Sequence, residues 1–283
     1  MTRGAAPSGA YPDLVLVNGE PAACVSAIDR GLHYGDGVFE TITCVGGRPR
    51  FLDRHQARLA EGCRRLALSA PPPEQLVAEV HAASAPVDYA LIKLIVTRGE
   101  AAARGYALSG TERATRVLLR YPWAMDAPGP ASNGASVRIG QLRFGENPQL
   151  AGIKHLNRLE QILARAEWRD ATIFESLHFS TSDKLVSGTM SNVFIVQGGR
   201  LLTPDVGRCG VAGIMRGIVI DEAQRAGLVV EVAQLGAGEV RLAEEMFLTN
   251  VRIGIVPVSR LGDRQLAVGA TTRALQERVS GAD

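Results

Sequence analysis

Three lysines occur among the 31 basic residues of this 283-residue chain, so each amine can be weighed singly. Lys184 sits in the polar turn Ser182-Asp183-Lys184, where a solvated cation is expected. Lys93 lies within Ala90-Leu-Ile-Lys-Leu-Ile-Val96, an apolar strand on which it faces water or a carboxylate. Lys154 is placed differently. It follows a loop containing Pro148 and precedes a helix, in Leu150-Ala-Gly-Ile-Lys-His-Leu-Asn157, a strand–helix junction of the kind that borders clefts in α/β proteins. A partly desolvated amine there is neutral near pH 7 and can attack a carbonyl to form an imine. Spacing alone also allows a plain surface lysine.

Two further groups of residues suit anions. Gly210-Val-Ala-Gly-Ile-Met-Arg216 opens a helix, and its glycines let the backbone approach a ligand while the first turn presents N–H groups and partial positive charge. That is a phosphate cradle by construction, although an ordinary glycine-entered helix has the same pattern. Arg58, on a helix that Asp53 is expected to cap, could add a charge-assisted bond to a phosphate. Arg98 and Arg104, with Tyr106, flank a small-residue loop after an apolar strand. Planar guanidinium groups bind carboxylates in bidentate fashion, so this loop suits an acidic substrate; a solvated loop is the plainer reading.

The elements that must position these groups divide at a Pro/Gly/Ala/Ser/Asn-rich stretch. The sequence predicts a smaller N-terminal α/β domain over 1–121, a linker over 122–135 and a larger C-terminal domain over 136–283 that carries Lys154. Strands are expected at 13–18, 38–45, 89–97 and 116–121 in the first part, with a hairpin turn at Gly46-Gly47 and helices after Asp53 and Pro73. In the second part strands are expected at 136–139, 172–179, 193–196, 200–203, 228–232 and 245–249. Helices are expected over about 157–169, from Gly213 to about 226 and from about Thr271. The strands come largely as hairpins, without the regular alternation of a doubly wound sheet.

Composition narrows the function classes. Hydrophobic residues make up 46% and charged residues 21%, and the net charge is +2, which offers no electrostatic footprint for nucleic acid or a membrane surface. No apolar run reaches membrane-spanning length, and residues 1–8 read as a frayed arm without a signal-peptide core. Cys24, Cys44, Cys63 and Cys209 are far apart, which fits reduced thiols in a cytoplasmic enzyme, and the histidines lack metal-site spacing. Dinucleotide, Walker and G-x-S-x-G motifs are absent.

The run Leu-Ala-Gly-Ile-Lys-His-Leu-Asn-Arg-Leu-Glu-Gln (150–161) resembles the cofactor-lysine segment of the aminodeoxychorismate lyase family. Asp29-Arg-Gly-Leu-His-Tyr-Gly-Asp-Gly-Val-Phe-Glu40 is similar to the N-terminal signature of the wider D-amino-acid and branched-chain aminotransferase fold. Thr-Arg-Gly (97–99), Arg-Gly-Tyr (104–106), Ser-Gly-Thr-Met-Ser-Asn-Val-Phe (187–194) and Arg-Cys-Gly-Val-Ala-Gly-Ile-Met-Arg (208–216) follow in the family's order, so the resemblance spans the chain from about residue 13. It implies a two-domain α+β or α/β architecture, the fold type IV of pyridoxal 5′-phosphate (PLP) enzymes, with the cofactor at the domain interface of a homodimer.

It further implies that Lys154 holds PLP as a Schiff base and shuttles protons, and that Arg58 and the N–H groups of Ile214 and Met215 hold the phosphate. Val211 would pack on the ring, Asn250 would lie near the phosphate, and Arg98, Arg104 and Tyr106 would meet the substrate. The implied reaction converts 4-amino-4-deoxychorismate to 4-aminobenzoate and pyruvate; the alternative is a class IV aminotransferase acting on D-amino or branched-chain acids. One departure stands out. The fold normally places a glutamate against the pyridine nitrogen where this chain has Ser187, and a hydroxyl supplies no charge.

Overall fold

The computed structural model describes residues 11–101, 104–123 and 130–282. They form two compact units, the first taking the N-terminal part of the chain together with Ile153–Asn157 and the second taking the rest. The expected N-terminal arm, and positions 124–129 of the expected linker, lie outside the described residues.

The first unit contains β1 (Leu14–Val17), β2 (Glu20–Pro21), α1 (Arg30–Tyr34), β3 (Gly37–Val45), β4 (Arg48–Pro49), α2 (Leu52–Arg65), α3 (Pro73–Ser84), β5 (Tyr89–Thr97) and β6 (Thr115–Pro122). Its strands make one antiparallel sheet in the order β2-β1-β6-β5-β3-β4. Successive side chains on a strand alternate faces, and Val38, Ile42 and Cys44 of β3 enter one core with Leu59 and Cys63 of α2 and Leu76 and Val80 of α3. Each such side chain contributes about 1.5–3 kcal/mol when fully buried. Asp53 is not the cap of α2: Phe51, in the left-handed region at φ 53°, precedes the first helical residue, and Asp53 acts from the first turn on the helix dipole.

Glu40 shares the core-facing side of β3 and breaks its apolar pattern. Its carboxylate accepts bonds from His55 Nδ1 (2.6 Å) and Arg58 Nε (2.8 Å), both on α2, and all but 1% of the side chain is buried. Burial pushes this carboxyl up, but the bonds and charges of His55 and Arg58 outweigh it and hold Glu40 below the usual range.

The sequence assigns Lys154 to the C-terminal part, whereas its five-residue segment packs with the first unit. Two backbone bonds explain why: Phe39 N–H donates to the Lys154 carbonyl (2.9 Å) and Leu156 N–H to the Gly37 carbonyl (3.0 Å). Ile153, 3% exposed, enters the same core as Val38. The segment thus lies as an extra edge along the start of β3. A Cβ on Gly37 would come within 2.5 Å of the Val96 carbonyl oxygen and 2.8 Å of Leu156 Cδ1, so the close approach requires glycine.

The second unit contains α4 (Pro130–Asn133), β7 (Ala135–Ile139), α5 (Leu159–Arg165), β8 (Ile173–Phe179), β9 (Leu185–Ser187), β10 (Asn192–Gln197), β11 (Arg200–Pro204), α6 (Ile214–Arg225), β12 (Val229–Ala233), α7 (Ala237–Leu242), β13 (Glu245–Asn250), β14 (Gly254–Leu261), β15 (Arg264–Gln265) and α8 (Ala270–Ser280). Its mixed sheet runs β12-β11-β10-β13-β14-β7-β8-β9, with β15 on β14. Parallel pairing of β7 with β8 and of β11 with β12 requires crossovers, and α5 and α6 lie in those connections. Leu177, Val193, Ile195, Leu248 and Val256 form the centre of its core. β14, absent from the expected strands, pairs with both β13 and β7. Pro257 inside it argues against a central strand in sequence, yet it pairs with Phe247 of β13 in regular register.

Gly37→Ala is expected to destabilise the protein by about 1–3 kcal/mol through overpacking against backbone. Gly238→Ala, where a Cβ meets nothing within 4 Å, is expected to be neutral or mildly stabilising in the same urea titration. Because the Glu40 carboxyl is depressed in the folded state, its contribution to stability is complete above its ordinary value of 4.5 and is lost as pH falls through the depressed one. Glu40→Gln should therefore lower stability by about 3–5 kcal/mol near neutrality. It should also flatten the pH dependence of urea midpoints below about pH 4.5.

Candidate active site

In the first unit the Lys154 ammonium lies 4.4 Å from the centroid of the Phe39 ring, on the strand residue that bonds its own carbonyl. Lys93, read from sequence as a strand-surface lysine, reaches the same ring at 5.4 Å. Two of the chain's three amines therefore border one aromatic side chain, which creates a cationic, half-buried surface suited to anionic ligands. Arg58 is anchored rather than loose: its Nε and one terminal nitrogen fork Glu40, and its side chain is 13% exposed. A guanidinium fixed in this way has a defined direction for any further bond.

Arg98, expected to meet substrate carboxylates, holds Asp36 through its Nε and one terminal nitrogen (2.7 and 3.1 Å), and its terminal nitrogens donate to the Leu66 and Ala67 carbonyls (both 2.7 Å). At 7% exposed, with each guanidinium nitrogen engaged, Arg98 is an internal brace. Arg104 and Tyr106 are exposed, Tyr106 by 83%, and the Tyr106 ring lies 5.3 Å from that of Tyr34. Asp36 also accepts from Arg30 Nε (2.9 Å). Burial pushes the Asp36 carboxyl up, but hydrogen bonds from Arg98 and Arg30, followed by their charges, hold it below the usual range.

In the second unit α6 starts after Gly213, which provides no side-chain cap, and its first turn carries no acidic residue. A Cβ on Gly213 would lie 2.0 Å from Asn192 Oδ1, so the chain passes this amide only as glycine. Ile214 and Met215 point their side chains into the core (7% and 1% exposed), so the turn meets an incoming group with backbone. Arg216, in the same turn, bonds the Thr203 hydroxyl (3.3 Å) and the Pro204 carbonyl (3.0 Å), and burial pushes its pKa down. Asn192 Nδ2 bonds the Val211 carbonyl (3.0 Å), fixing the turn that carries Val211. These features suit an anion at the start of α6.

Ser187 ends β9, and its hydroxyl donates to the Gly188 carbonyl (2.8 Å). The loop that follows is tied by Glu175, whose buried carboxylate accepts from Thr189 Oγ1 (2.7 Å), Met190 N–H (3.2 Å) and Ser191 Oγ (3.1 Å). The sequence reading did not single out Glu175; its only signal is an acidic residue inside the strand Ile173–Phe179. Asn250 supports the same loop, bonding the Met190 carbonyl (3.0 Å) while its Oδ1 accepts from Arg252 and Ile253 N–H groups (2.9 and 3.0 Å). Asp36 and Glu40 were visible in the N-terminal signature but had no assigned role.

A family model for amino-transferase class IV matches residues 37–261. An aminodeoxychorismate lyase from Vibrio harveyi is 30% identical over 92% of this chain and 97% of its own length. A Methanocaldococcus jannaschii protein provisionally described as a branched-chain-amino-acid aminotransferase is also 30% identical, over 92% of this chain and 91% of its own. The crystal structure of 4-amino-4-deoxychorismate lyase from Pseudomonas aeruginosa is 43% identical with a TM-score of 0.90, covering 94% of this chain and 97% of that one. With the matched region reaching from the strand that anchors Lys154 to the strand that follows Asn250, the chain belongs to the class IV aminotransferase family.

Proposed function

We propose that this chain is a PLP-dependent lyase that converts 4-amino-4-deoxychorismate to 4-aminobenzoate and pyruvate. The observation that carries the reading is the Lys154 segment. The 150–161 run stands in a chain 43% identical to the Pseudomonas aeruginosa lyase, with its amine held beside Phe39 by two backbone bonds. The residues present fit the cofactor. The uncapped, acid-free start of α6 suits a phosphate, and the missing Cβ at Gly213 lets backbone come close. Lys154 is a half-buried amine on a fixed backbone.

When bound, PLP supplies an aldehyde that an amine captures and a ring that withdraws electrons from the carbon bearing that amine. Lys154 would hold the aldehyde, and Arg58 with the Ile214 and Met215 N–H groups would hold the phosphate. Val211 would border the ring. With its amine freed for proton transfer, Lys154 would take the substrate's C4 proton and return a proton to the departing enolpyruvate, giving pyruvate. Loss of that proton and of the enolpyruvyl oxygen leaves an aromatic product. Arg104 remains the candidate for the substrate's carboxylates, with Tyr106 shaping that pocket.

A transaminase reading is favoured by the Methanocaldococcus relative and disfavoured by Ser187. In the present arrangement the Ser187 hydroxyl proton goes to Gly188, so the position offers a ring nitrogen no charge and no free donor. Steady-state release of 4-aminobenzoate, measured beside keto-acid amination, separates the two. Wild type should release the aromatic product, and Lys154→Ala should lower kcat by at least about 1,000-fold. Ser187→Glu should raise the amination rate relative to the lyase rate; an unchanged ratio would reject the role given to this position.

The active form is proposed to be a homodimer, as the resemblance implies. In the second unit α5 exposes Leu159, Ile162 and Leu163 by 72%, 62% and 58%, an apolar stripe at helical spacing that a second copy would cover. Sedimentation velocity should show a dimer for wild type and a shift toward monomer for Ile162→Glu.

A further inference from the structure

The N-terminal signature Asp29–Glu40 contains an ion pair, Arg30 and Asp36, that no step of the proposed reaction uses. Both lie in the first unit beside the loop that carries Arg104 and Tyr106. Arg30 is 4% exposed. Its Nε bonds Asp36 Oδ2 (2.9 Å), one terminal nitrogen bonds the Gly105 carbonyl (2.9 Å), and the other reaches the Tyr106 carbonyl (3.4 Å). Its guanidinium also lies 5.0 Å from the Tyr34 ring centroid, and Tyr34 in turn touches the Tyr106 ring.

Asp36 is the hub of this arrangement. One carboxylate oxygen accepts from both Arg30 and Arg98, and the other accepts from Arg98. Arg98 fastens the hub to the end of α2 through Leu66 and Ala67. The helix that precedes Asp36 is itself fixed: Asp29 caps it by accepting from Gly31 N–H (2.7 Å) and also accepts from the Thr97 hydroxyl (2.9 Å). Arg30 N–H donates to the Gly99 carbonyl (2.8 Å). A buried guanidinium without these acceptors would lose several kcal/mol of solvation, so Arg30 holds the carbonyls of Gly105 and Tyr106 as firmly as they hold it.

The consequence is a division between main chain and side chain. The carbonyls of 105 and 106 are turned inward onto Arg30, while the Arg104 and Tyr106 side chains are left at the surface. We propose that Arg30, aimed by Asp36 and stacked on Tyr34, is a positioning residue that fixes the Gly105–Tyr106 backbone and thereby the direction in which Arg104 and Tyr106 meet substrate. The signature is then a clamp that sets substrate affinity in advance of binding, since a pre-ordered loop has less freedom to lose. The assignment of Arg104 and Tyr106 to substrate rests on the proposed function; the clamp itself does not.

Trypsin tests the two separately, because cleavage after exposed Arg104 requires the 105–106 backbone to leave its place. Asp36→Asn and Arg30→Lys are compared with wild type as PLP-loaded enzyme. A lysine at 30 retains the charge but cannot span a carboxylate and two carbonyls. In both variants cutting at Arg104 should accelerate about tenfold, the visible cofactor band that borohydride bleaches should persist, and KM should rise about tenfold with kcat within about twofold. Faster cutting with unchanged KM keeps the clamp and removes Arg104 and Tyr106 from the substrate site. Unchanged cutting in both variants overturns the clamp, whatever happens to KM. If Asp36→Asn does not fold, Arg30→Lys alone decides.

Discussion

The structure depends on one short stretch of main-chain pairing, between residues 154–156 and the beginning of β3. The imine role proposed for Lys154 requires a backbone that does not move when the amine is released and recaptured. A flexible side chain supplies the reach, and the fixed point must come from elsewhere. Here it comes from two backbone bonds, at Gly37 and Phe39, and from Ile153 driven into the core beside Val38. The absence of a side chain at Gly37 is what permits the approach, because the neighbouring obstacle is the Val96 carbonyl, which belongs to a paired strand and cannot step aside.

Around that fixed point, buried arginines are held by two carboxylates. Arg98 and Arg30 converge on Asp36, and Arg58 forks Glu40. Each carboxylate is held in its charged form by its partners against the pull of burial. A buried pair of this kind is weak evidence for net stability, since a well-packed apolar pair would serve as well or better. What it provides is direction. Arg58 on Glu40 can point in few ways, and Arg30 on Asp36 holds the Gly105 and Tyr106 carbonyls, whose residues belong to no strand or helix.

Strand β5 was legible residue for residue, because its apolar run is bounded by clear breaks and its neighbours in the sheet have the same character. β14 was not legible, since Pro257 contradicts a central strand locally and only the tertiary partners β13 and β7 override it. The Lys154 and α6 segments were conspicuous by residue type and by resemblance. The packing of Ile153–Asn157 with the first unit was hidden, because it depends on a pairing with residues more than a hundred positions away. Arg98 illustrates the converse. Its neighbours in sequence suggest a substrate loop, but its partners Asp36, Leu66 and Ala67 come from two other segments and take four of its five N–H donors. Glu175 was missed for the same reason, as its three loop partners lie 14–16 residues downstream.

Glu175 also bears on the departure at position 187 that the resemblance implies. If the side chain at 187 held the 188–191 loop in place, replacing a glutamate by serine would release it. The loop is instead secured from below, by three bonds to the Glu175 carboxylate and one from Asn250, while Gly188 packs so closely that a Cβ there would meet both Glu175 and Ser191. The Ser187 hydroxyl adds one bond, to the Gly188 carbonyl, but most of the loop's side-chain anchorage comes from Glu175 and Asn250. A residue that only tunes a cofactor can change with the reaction, and one that holds the backbone cannot. Under the proposed function those two duties would fall on different residues, Ser187 and Glu175.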